Sequence, residues 1–383
     1  MRLPWCNRGH ALTLAQPGSY LPCSFSRLDS AASRALRAAF ALGAACDLNS
    51  DALGGSLLKS VGRGEMGQRI SIIGGSGFVG RAIVRQAVAA GHQVTVACRH
   101  PERARELLVD GAALVKADVV DGTGLDAAVA GADTVVYLVG LLFEKGRQNF
   151  SAAHVDGVAR VLAACKRAGV KQYLHMSALG AGAVEGSAYA ETKAAAEALV
   201  SASGLNWTIF RPSIIYGAGD NFFNQFKAMS ALLPALPVIS GSTRFQPVWV
   251  EDVARAFVAS VGDRHVAGQT YQLAGPTIYS FQELLELLMS ELDRKRVMVP
   301  VPAIAAKLMA VFTSILPTPP IKLDQLKLLA HDNVVVGGAP FPVIFGEPAA
   351  VEKVLPSYIA VSRPEWRQHQ MDASRQHYRK GGI

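Results

Sequence analysis

A glycine-rich turn between a short apolar run and a helical pattern constrains the fold of this chain more than any other feature. The run RISII at residues 69–73 has the composition of a buried strand, and GGSGFVG follows it directly at residues 74–80. Gly74 and Gly77 allow a tight turn and a close approach to a pyrophosphate, while Gly80 lets the next helix pack closely. Amides at the start of that helix can bind the phosphate, so this context predicts a dinucleotide-binding loop rather than a glycine-rich turn without a ligand. The candidate cofactor-binding residues here are Gly74, Ser76, Gly77, Phe78, Val79 and Gly80.

Strand-like and helix-like patterns alternate along the chain after this turn. Further β-rich runs lie at residues 92–98, 113–117, 134–138, 171–176 and 206–210. Strands that alternate with helices in this way argue for a parallel sheet covered on both faces. Beyond Tyr216 the alternation loosens; one helix is expected to start near Glu251, and Ser280 and Glu283 form a capping-box pattern for another. We therefore predict an α/β fold, a doubly wound parallel Rossmann sheet with a smaller mixed C-terminal lobe that closes over the strand ends.

The same patterns divide the chain into regions. The first 66 residues hold several Arg and Ser and no acidic residue before Asp29, which is compatible with a mitochondrial transit peptide. Pro, Gly and Asp interrupt any amphipathic helix there, and Met66 stands close before the first strand, so we favour an extension that is disordered, cleaved or not translated. We predict four regions: the extension 1–66, the NAD(P)-binding domain 67–275, the C-terminal lobe 276–362 and a mobile basic tail 363–383. Within the NAD(P)-binding domain, residues 217–246 contribute to the substrate or partner lobe.

The net charge of +8 and the pI of about 9.3 invite a nucleic-acid interpretation. The basic residues are scattered, however, and no block of Lys and Arg is paired with aromatic stacking residues, so we predict no nucleic-acid partner. Anionic cofactor phosphates, or an anionic membrane or partner surface, explain the excess charge equally well. We assign most of it to a solvated surface.

The five cysteines show neither CxxC pairs nor metal-ligand spacing, so we predict no metal site and no disulfide framework. Cys98 and Cys165 lie in apolar segments, as core thiols do, and a reducing compartment such as the cytoplasm fits this usage. Residues 301–316 are apolar, but Pro302 and Lys307 interrupt a stretch that is too short to span a bilayer. It could lie flat on a membrane or line a pocket; we favour core packing.

The residues after the second strand bear on the choice of nucleotide. An NAD-specific site would place Asp or Glu there on the ribose hydroxyls, whereas this chain has CRHP at residues 98–101. With no carboxylate to repel a 2′-phosphate, Arg99 offers that phosphate a bidentate partner, and Arg103 lies one helical turn further on. We therefore predict NADP(H) as the cofactor; NAD(H), with Arg99 a plain surface residue, is the less favoured alternative.

Two further strand ends supply candidate cofactor contacts. Asp118 and Val119 follow the third strand, where a carboxylate can accept a hydrogen bond from the adenine amino group. Val139 and Gly140 follow the fourth strand, where glycine lets the backbone lie beside the cofactor. All four residues belong to the predicted cofactor site.

A serine, a tyrosine and a lysine form the candidate catalytic group. Ser177 ends the fifth strand, and Tyr189 and Lys193 lie one turn apart on one face of the next helix. Lys193 can lower the pKa of Tyr189 and hold the nicotinamide ribose, and Tyr189 can then exchange a proton with a substrate oxygen polarised by Ser177. A YxxxK pair is common by chance, but its place after a strand with a serine in reach favours a site.

Four of these features occur together: the glycine turn, the YxxxK pair, WTIFRP at residues 207–212 and PVWVEDVA at residues 247–254. As a set they resemble the extended and atypical branches of the short-chain dehydrogenase/reductase superfamily, which include NAD-dependent epimerases and dehydratases. The resemblance covers about residues 69–275. It implies that Tyr189, Lys193 and Pro212 contact the cofactor.

A narrower resemblance lies further on. A second set of segments is similar to bacterial relatives of the NADPH-binding accessory subunit of mitochondrial respiratory complex I: PVP at 300–302, LPTPP at 316–320, DQLKLL at 324–329, DNVV at 332–335 and EKVLPSY at 352–358. That family implies a tightly held NADPH, a role tied to a membrane complex, and no established turnover. Because its members keep the Tyr and Lys positions, Tyr189 and Lys193 do not by themselves prove catalysis.

Two classes of function follow from these features. In the first, the protein is a cofactor-bearing binding or assembly module associated with a complex I-type respiratory membrane complex or a membrane surface. In the second, it is an active NADP-dependent oxidoreductase, epimerase or dehydratase that uses Ser177, Tyr189 and Lys193 on a small or isoprenoid-like substrate. We favour the first. It places the protein in the cytoplasm, peripheral to the inner membrane, or in the mitochondrial matrix of a eukaryote.

Overall fold

The computed structural model describes residues 67–359 apart from 142, 143, 145, 303 and 307–322. The strands within these residues are β1 (Arg69–Ile73), β2 (Gln93–Cys98), β3 (Ala113–Lys116), β4 (Thr134–Tyr137), β5 (Gln172–Met176), β6 (Asn206–Pro212), β7 (Ile215–Tyr216), β8 (Ala235–Ile239), β9 (Arg244–Phe245), β10 (Val248–Trp249), β11 (Gln269–Leu273), β12 (Tyr279–Ser280) and β13 (Val297–Val301). The α-helices are α1 (Phe78–Ala89), α2 (Glu106–Val109), α3 (Leu125–Val129), α4 (Gly157–Ala168), α5 (Ala188–Ser201), α6 (Phe222–Leu232), α7 (Val250–Ala259), α8 (Phe281–Glu291), α9 (Leu323–Leu329) and α10 (Val351–Ile359). Shorter turns are 3-10 helical at Pro101–Arg103 and Val343–Phe345 and π-helical at Ser151–Asp156.

A parallel sheet forms the centre of the fold, with its strands in the order β3-β2-β1-β4-β5-β6-β11. The chain runs outward from β1 through β2 to β3, and then returns to the other side of β1 with β4. The connections that leave β1 and β4 therefore diverge, and a crevice opens at the carboxyl ends, where ligands bind in such sheets. The predicted doubly wound parallel sheet is confirmed.

Both faces of this sheet are buried. Successive residues of a strand point to opposite faces, so Ile72 and Val96 pack on one face with α1 and α7. Ile73 and Tyr137 pack on the other face with α3, α4 and α5. Truncating a fully buried side chain such as Ile72 to alanine costs about 2–5 kcal/mol. Burial on both faces explains why the strands read as apolar runs rather than as alternating patterns.

The C-terminal lobe has a core of its own, outside the central sheet. Its buried side chains include Tyr216, Phe223, Leu236, Phe245, Phe281, Leu284, Leu288 and Leu355. In the lobe β8 pairs with β13 in parallel, and β9 pairs with β12 antiparallel. Helix α8 begins with the predicted capping box, in which the Ser280 hydroxyl accepts the Glu283 amide at 3.1 Å and the Glu283 carboxylate accepts the Ser280 amide at 2.6 Å. The mixed character of the lobe is thus confirmed.

Cys98 and Cys165 are buried free thiols in β2 and α4, as predicted for core cysteines. No helix in the described part of the chain is long and apolar enough to cross a membrane. The same residues contain no group of three or more His, Cys, Asp or Glu arranged to hold a metal ion. The predictions for residues 1–66, for most of the apolar stretch 301–316 and for the tail 363–383 fall outside the described residues.

Candidate functional site

The glycine turn follows β1 at the crevice, and its glycines meet different demands. Gly74 has a φ of +84°, a conformation that favours glycine. A Cβ on Gly80 would lie 2.5 Å from the Cα of Gly75, so glycine alone lets α1 pack against the turn. Among the described residues, a Cβ on Gly77 would meet just the Gly74 carbonyl oxygen, at 3.4 Å. The space beside Gly77 is therefore open, on the side where α1 would bind a pyrophosphate.

A side-chain hydrogen bond joins this turn to the helix that follows it. The Ser76 carbonyl accepts from Arg81 Nε at 3.0 Å. Helix α1 then begins with the half-buried Phe78, and Val79 is buried in the core. The first amides of a helix have no acceptor within it. The turn therefore presents the free amides of a helix start, which can bind an anion.

Arg99 is exposed immediately after β2, at the position predicted to meet a ribose 2′-phosphate. Arg103, in the following 3-10 turn, is exposed as well. Neither guanidinium forms an ion pair with a described residue, whereas the neighbouring carboxylate of Glu102 lies 3.1 Å from Nδ1 of His100. The end of β2 thus offers positive charge to a ligand.

The ends of β3 and β4 carry four more of the predicted residues. The Asp118 carboxylate accepts the backbone amide two residues further on, at 2.9 Å, and Val119 is buried. Val139 is half-buried after β4, and Gly140 is exposed. A Cβ on Gly140 would lie 3.6 Å from Lys193 Nζ. This glycine therefore brings the backbone after β4 next to the lysine ammonium.

Lys193 of α5 reaches the end of β5, directly before Ser177 in the chain. Lys193 is 3% exposed, and its Nζ donates to the Met176 carbonyl at 3.0 Å. Tyr189 lies one helical turn before Lys193 and is half-buried. Ser177 is buried, and its Oγ has no hydrogen-bond partner among the described residues. A buried polar atom left unpaired costs about 1–3 kcal/mol, so this hydroxyl is suited to bind a polar group of a ligand.

Burial controls the protonation of these groups. It lowers the pKa of Lys193 to about 8, against the opposing effect of the Glu197 charge. It raises the pKa of Tyr189 to about 12. We expected Lys193 to lower the pKa of Tyr189; the shift has the opposite direction because loss of hydration disfavours the phenolate. Tyr189 is therefore a protonated donor at neutral pH.

Pro212 adds the end of β6 to the site. It is buried, and its carbonyl accepts the Leu179 amide at 2.8 Å, two residues after Ser177. The predicted residues thus follow the carboxyl ends of β1 to β6 along one edge of the sheet: the glycine turn, Arg99, Asp118 and Val119, Val139 and Gly140, Ser177, and Pro212, with Tyr189 and Lys193 supplied by α5.

His154 belongs to this site and was missed in the sequence. It lies in the π-helical turn before α4 and is 1% exposed. Its Nε2 accepts the Leu141 amide at 3.0 Å, and its Nδ1 lies 3.0 Å from Thr192 Oγ1. The imidazole is edge-on to the Tyr189 ring, with 5.5 Å between the ring centres. His154 thus ties the loop after β4 to the helix that carries Tyr189 and Lys193.

The hydrogen-bond network assigns the protonation of His154. The Thr192 hydroxyl donates its proton to the Ala188 carbonyl at 2.7 Å, so the hydroxyl oxygen must accept a hydrogen bond from His154 Nδ1–H. The other ring nitrogen, Nε2, carries no proton and accepts the Leu141 amide. Burial, and then the charge of Lys193, lowers the pKa of His154 to about 3. The ring is therefore neutral. In the sequence, a single histidine in an apolar helical pattern does not indicate that it belongs to a site.

Comparison with known proteins links these features to a family. Residues 74–231 match a family model described as NAD(P)H-binding. The chain is 33% identical over 286 residues to NADH dehydrogenase (ubiquinone) 1 alpha subcomplex subunit 9, mitochondrial, of Arabidopsis thaliana. That match covers 70% of this chain and 71% of the plant protein.

Two further comparisons concern chemistry and fold. The chain is 33% identical over 194 residues to the ceramide reductase of Caulobacter vibrioides. That match covers 50% of this chain and 60% of the reductase. The solved structure of a nucleoside-diphosphate-sugar epimerase from Staphylococcus aureus superposes with a TM-score of 0.60 at 18% identity, covering 76% of this chain and 99% of the epimerase. At that identity, the second likeness shows the fold alone.

Proposed function

Because the chain belongs to the family of the mitochondrial NADH dehydrogenase (ubiquinone) 1 alpha subcomplex subunit 9, we propose that it is a nucleotide-carrying module of a respiratory membrane complex. In this role NADP(H) is a structural ligand, and the C-terminal lobe docks a partner of the complex. The family match, at 33% identity over 70% of the chain, carries the proposal. A nucleotide that stays bound stabilises the fold by mass action, so such a ligand has a use without turnover.

The residues at the crevice fit a dinucleotide. The open space beside Gly77 suits a pyrophosphate bound to the amides of α1. The exposed Arg99, with no carboxylate at the end of β2, supports NADP(H) over NAD(H). Lys193 lies beside the backbone after β4, where it would hold the nicotinamide ribose.

The surface of the lobe supports the docking of a partner. It exposes several large apolar side chains: Leu232, Leu233, Val297, Val299 and Ile304. Val297 and Val299 are 67% and 46% exposed and share one face of β13, because alternate residues of a strand point the same way. Exposed apolar surface of this kind marks contacts with proteins or membranes. Together with the family of mitochondrial respiratory subunits, this surface supports a protein held at the inner membrane, on the matrix side in a eukaryotic cell.

A second candidate function is an active NADP-dependent reductase. The intact set of Ser177, Tyr189 and Lys193 and the similarity to a ceramide reductase favour it. Tyr189 keeps its proton at neutral pH and could donate it to a substrate oxygen bound by the Ser177 hydroxyl. A bound nicotinamide would supply the hydride. The substrate would be a small or lipid-like molecule with a reducible carbonyl.

Complementation of a deletion strain separates the two functions. Tyr189→Phe removes a proton donor but little packing, so a module carrying this variant should restore the activity of the respiratory complex. Lys193→Ala should restore less, because it also removes a buried hydrogen bond and a cofactor contact. The identity and redox state of the nucleotide retained through purification would be determined alongside. If Tyr189→Phe binds NADPH normally yet fails as completely as the deletion, the protein is a reductase and not a module.

A further inference from the structure

Helix α9 of the lobe contacts the start of α5, the helix that carries Tyr189 and Lys193. Asp324 Oδ1 accepts the Ala188 amide at 3.0 Å, and Asp324 Oδ2 accepts the Ser187 hydroxyl at 3.2 Å. Ser187 is itself the N-cap of α5 and is fully buried. A carboxylate at this end of a helix binds free amides and interacts favourably with the helix dipole. The lobe therefore completes the cap of the helix that carries the candidate catalytic group.

Two more contacts hold α9 in place. Lys327 Nζ donates to the Gly186 carbonyl, immediately before the cap of α5. On its other side Leu326 is buried against Ile239 and Val301, which belong to β8 and β13. Helix α9 thus bridges the small parallel sheet of the lobe and the start of α5.

A second lobe residue, Asn333, reaches the same edge of the central sheet. Its Oδ1 accepts the Ser213 hydroxyl at 2.6 Å and the Ile214 amide at 3.2 Å. Its Nδ2 donates to the Leu179 carbonyl at 3.2 Å. Leu179 lies two residues after Ser177, and Ser213 directly follows β6. One side chain of the lobe therefore fixes the loops after both β5 and β6.

From these contacts we propose that Asp324 and Asn333 are positioning residues that couple the lobe to the nucleotide site. They act through α5 and the loops after β5 and β6, which carry Ser177, Tyr189 and Lys193. Nucleotide binding and the docking of α9 then favour one another by the same factor. A partner that holds the lobe in this position tightens nucleotide binding. The identity of the ligand, NADPH, rests on the proposed function.

The test uses the full chain and NADPH as the probe. Equilibrium affinity and release rate would be measured for wild type, Asp324→Asn and Asn333→Ala. Each variant should bind NADPH about fivefold more weakly, the lower end of typical coupling between sites. Asp293→Asn is the matched control, because Asp293 is an exposed lobe carboxylate whose side chain contacts no described residue of the site. It should bind NADPH as wild type does.

Hydrogen exchange of the wild type keeps the test independent of how well the variants fold. Saturating NADPH should slow amide exchange at residues 186–193 and also at 323–333. If NADPH binds but leaves exchange at 323–333 unchanged, or if Asp324→Asn lowers the melting temperature with no change in affinity, the coupling is absent. A wild type that binds no NADPH overturns the proposed function together with this inference.

Discussion

The substitution Gly77→Ala tests where the nucleotide lies. Gly77 has a φ of −78° and a ψ of 178°, which alanine adopts without strain, and the added Cβ would make an ordinary contact at 3.4 Å. Alanine reduces the freedom of the unfolded chain, which stabilises the fold by about 0.4–1 kcal/mol. It is also a poorer N-cap than glycine, by an amount of similar size. The free energy of unfolding without nucleotide should therefore change by less than about 1 kcal/mol.

Binding of NADPH should respond much more strongly. The new methyl group fills the open space beside the start of α1, and overpacking of this kind costs about 1–3 kcal/mol, or about 5- to 150-fold in Kd. Calorimetric titration with NADPH and urea unfolding without it measure the two effects separately. The contrasting variant is Gly80→Ala, whose Cβ would lie 2.5 Å from the Gly75 Cα and should destabilise the fold itself. Wild-type affinity in a folded Gly77→Ala protein would refute the placement of the pyrophosphate.

Two further predictions concern charge. Arg99→Ala should weaken the binding of NADPH more than that of NADH by about 1.5–3 kcal/mol, since it removes a charged hydrogen bond to the 2′-phosphate. Kd values of both nucleotides for wild type and variant check this, and equal losses of affinity for the two would contradict it. The pKa of His154 is about 3 in the folded chain and 6.5 in the unfolded chain, so unfolding takes up a proton and wild-type stability falls as the pH drops from about 6.5. His154→Gln should lose less stability than wild type between neutral and acid pH, as measured by the midpoints of urea unfolding. If the pH dependence of stability is the same in both proteins, the imidazole is not held neutral.

The parts of the site that the sequence predicted are those fixed by local spacing. The glycine motif occupies seven consecutive positions that join a strand to the first turn of a helix, and Tyr189 and Lys193 are four residues apart on one helix. In such short segments the backbone conformation alone determines which groups share a face. Strand β11 was not predicted, because Gln269 and Thr270 are exposed and the strand lies at the edge of the sheet. An edge strand needs no continuous apolar run.

The residues that were missed act over long distances in the chain. His154 binds partners 13 and 38 residues away, and the π-helical turn that holds it alters the helical spacing from which a partner would be sought. Asp324 and Asn333 lie in segments whose sequences resemble those of a known family. Their contacts join residues 136 and 154 positions apart. No spacing rule spans such separations, because they depend on the completed tertiary fold.

The route of the chain through the lobe sets the order in which the site is finished during translation. The chain leaves the central sheet after β6, returns for β11, and leaves again before α9. Helix α5 emerges from the ribosome with its start incompletely capped, because Asp324 follows Ser187 by 137 residues. The edge strand and Asn333 arrive late as well. A nascent polypeptide that ends before residue 323 lacks both Asp324 and Asn333, so the cap of α5 and the loops after β5 and β6 reach their final contacts only when the last part of the lobe has been made.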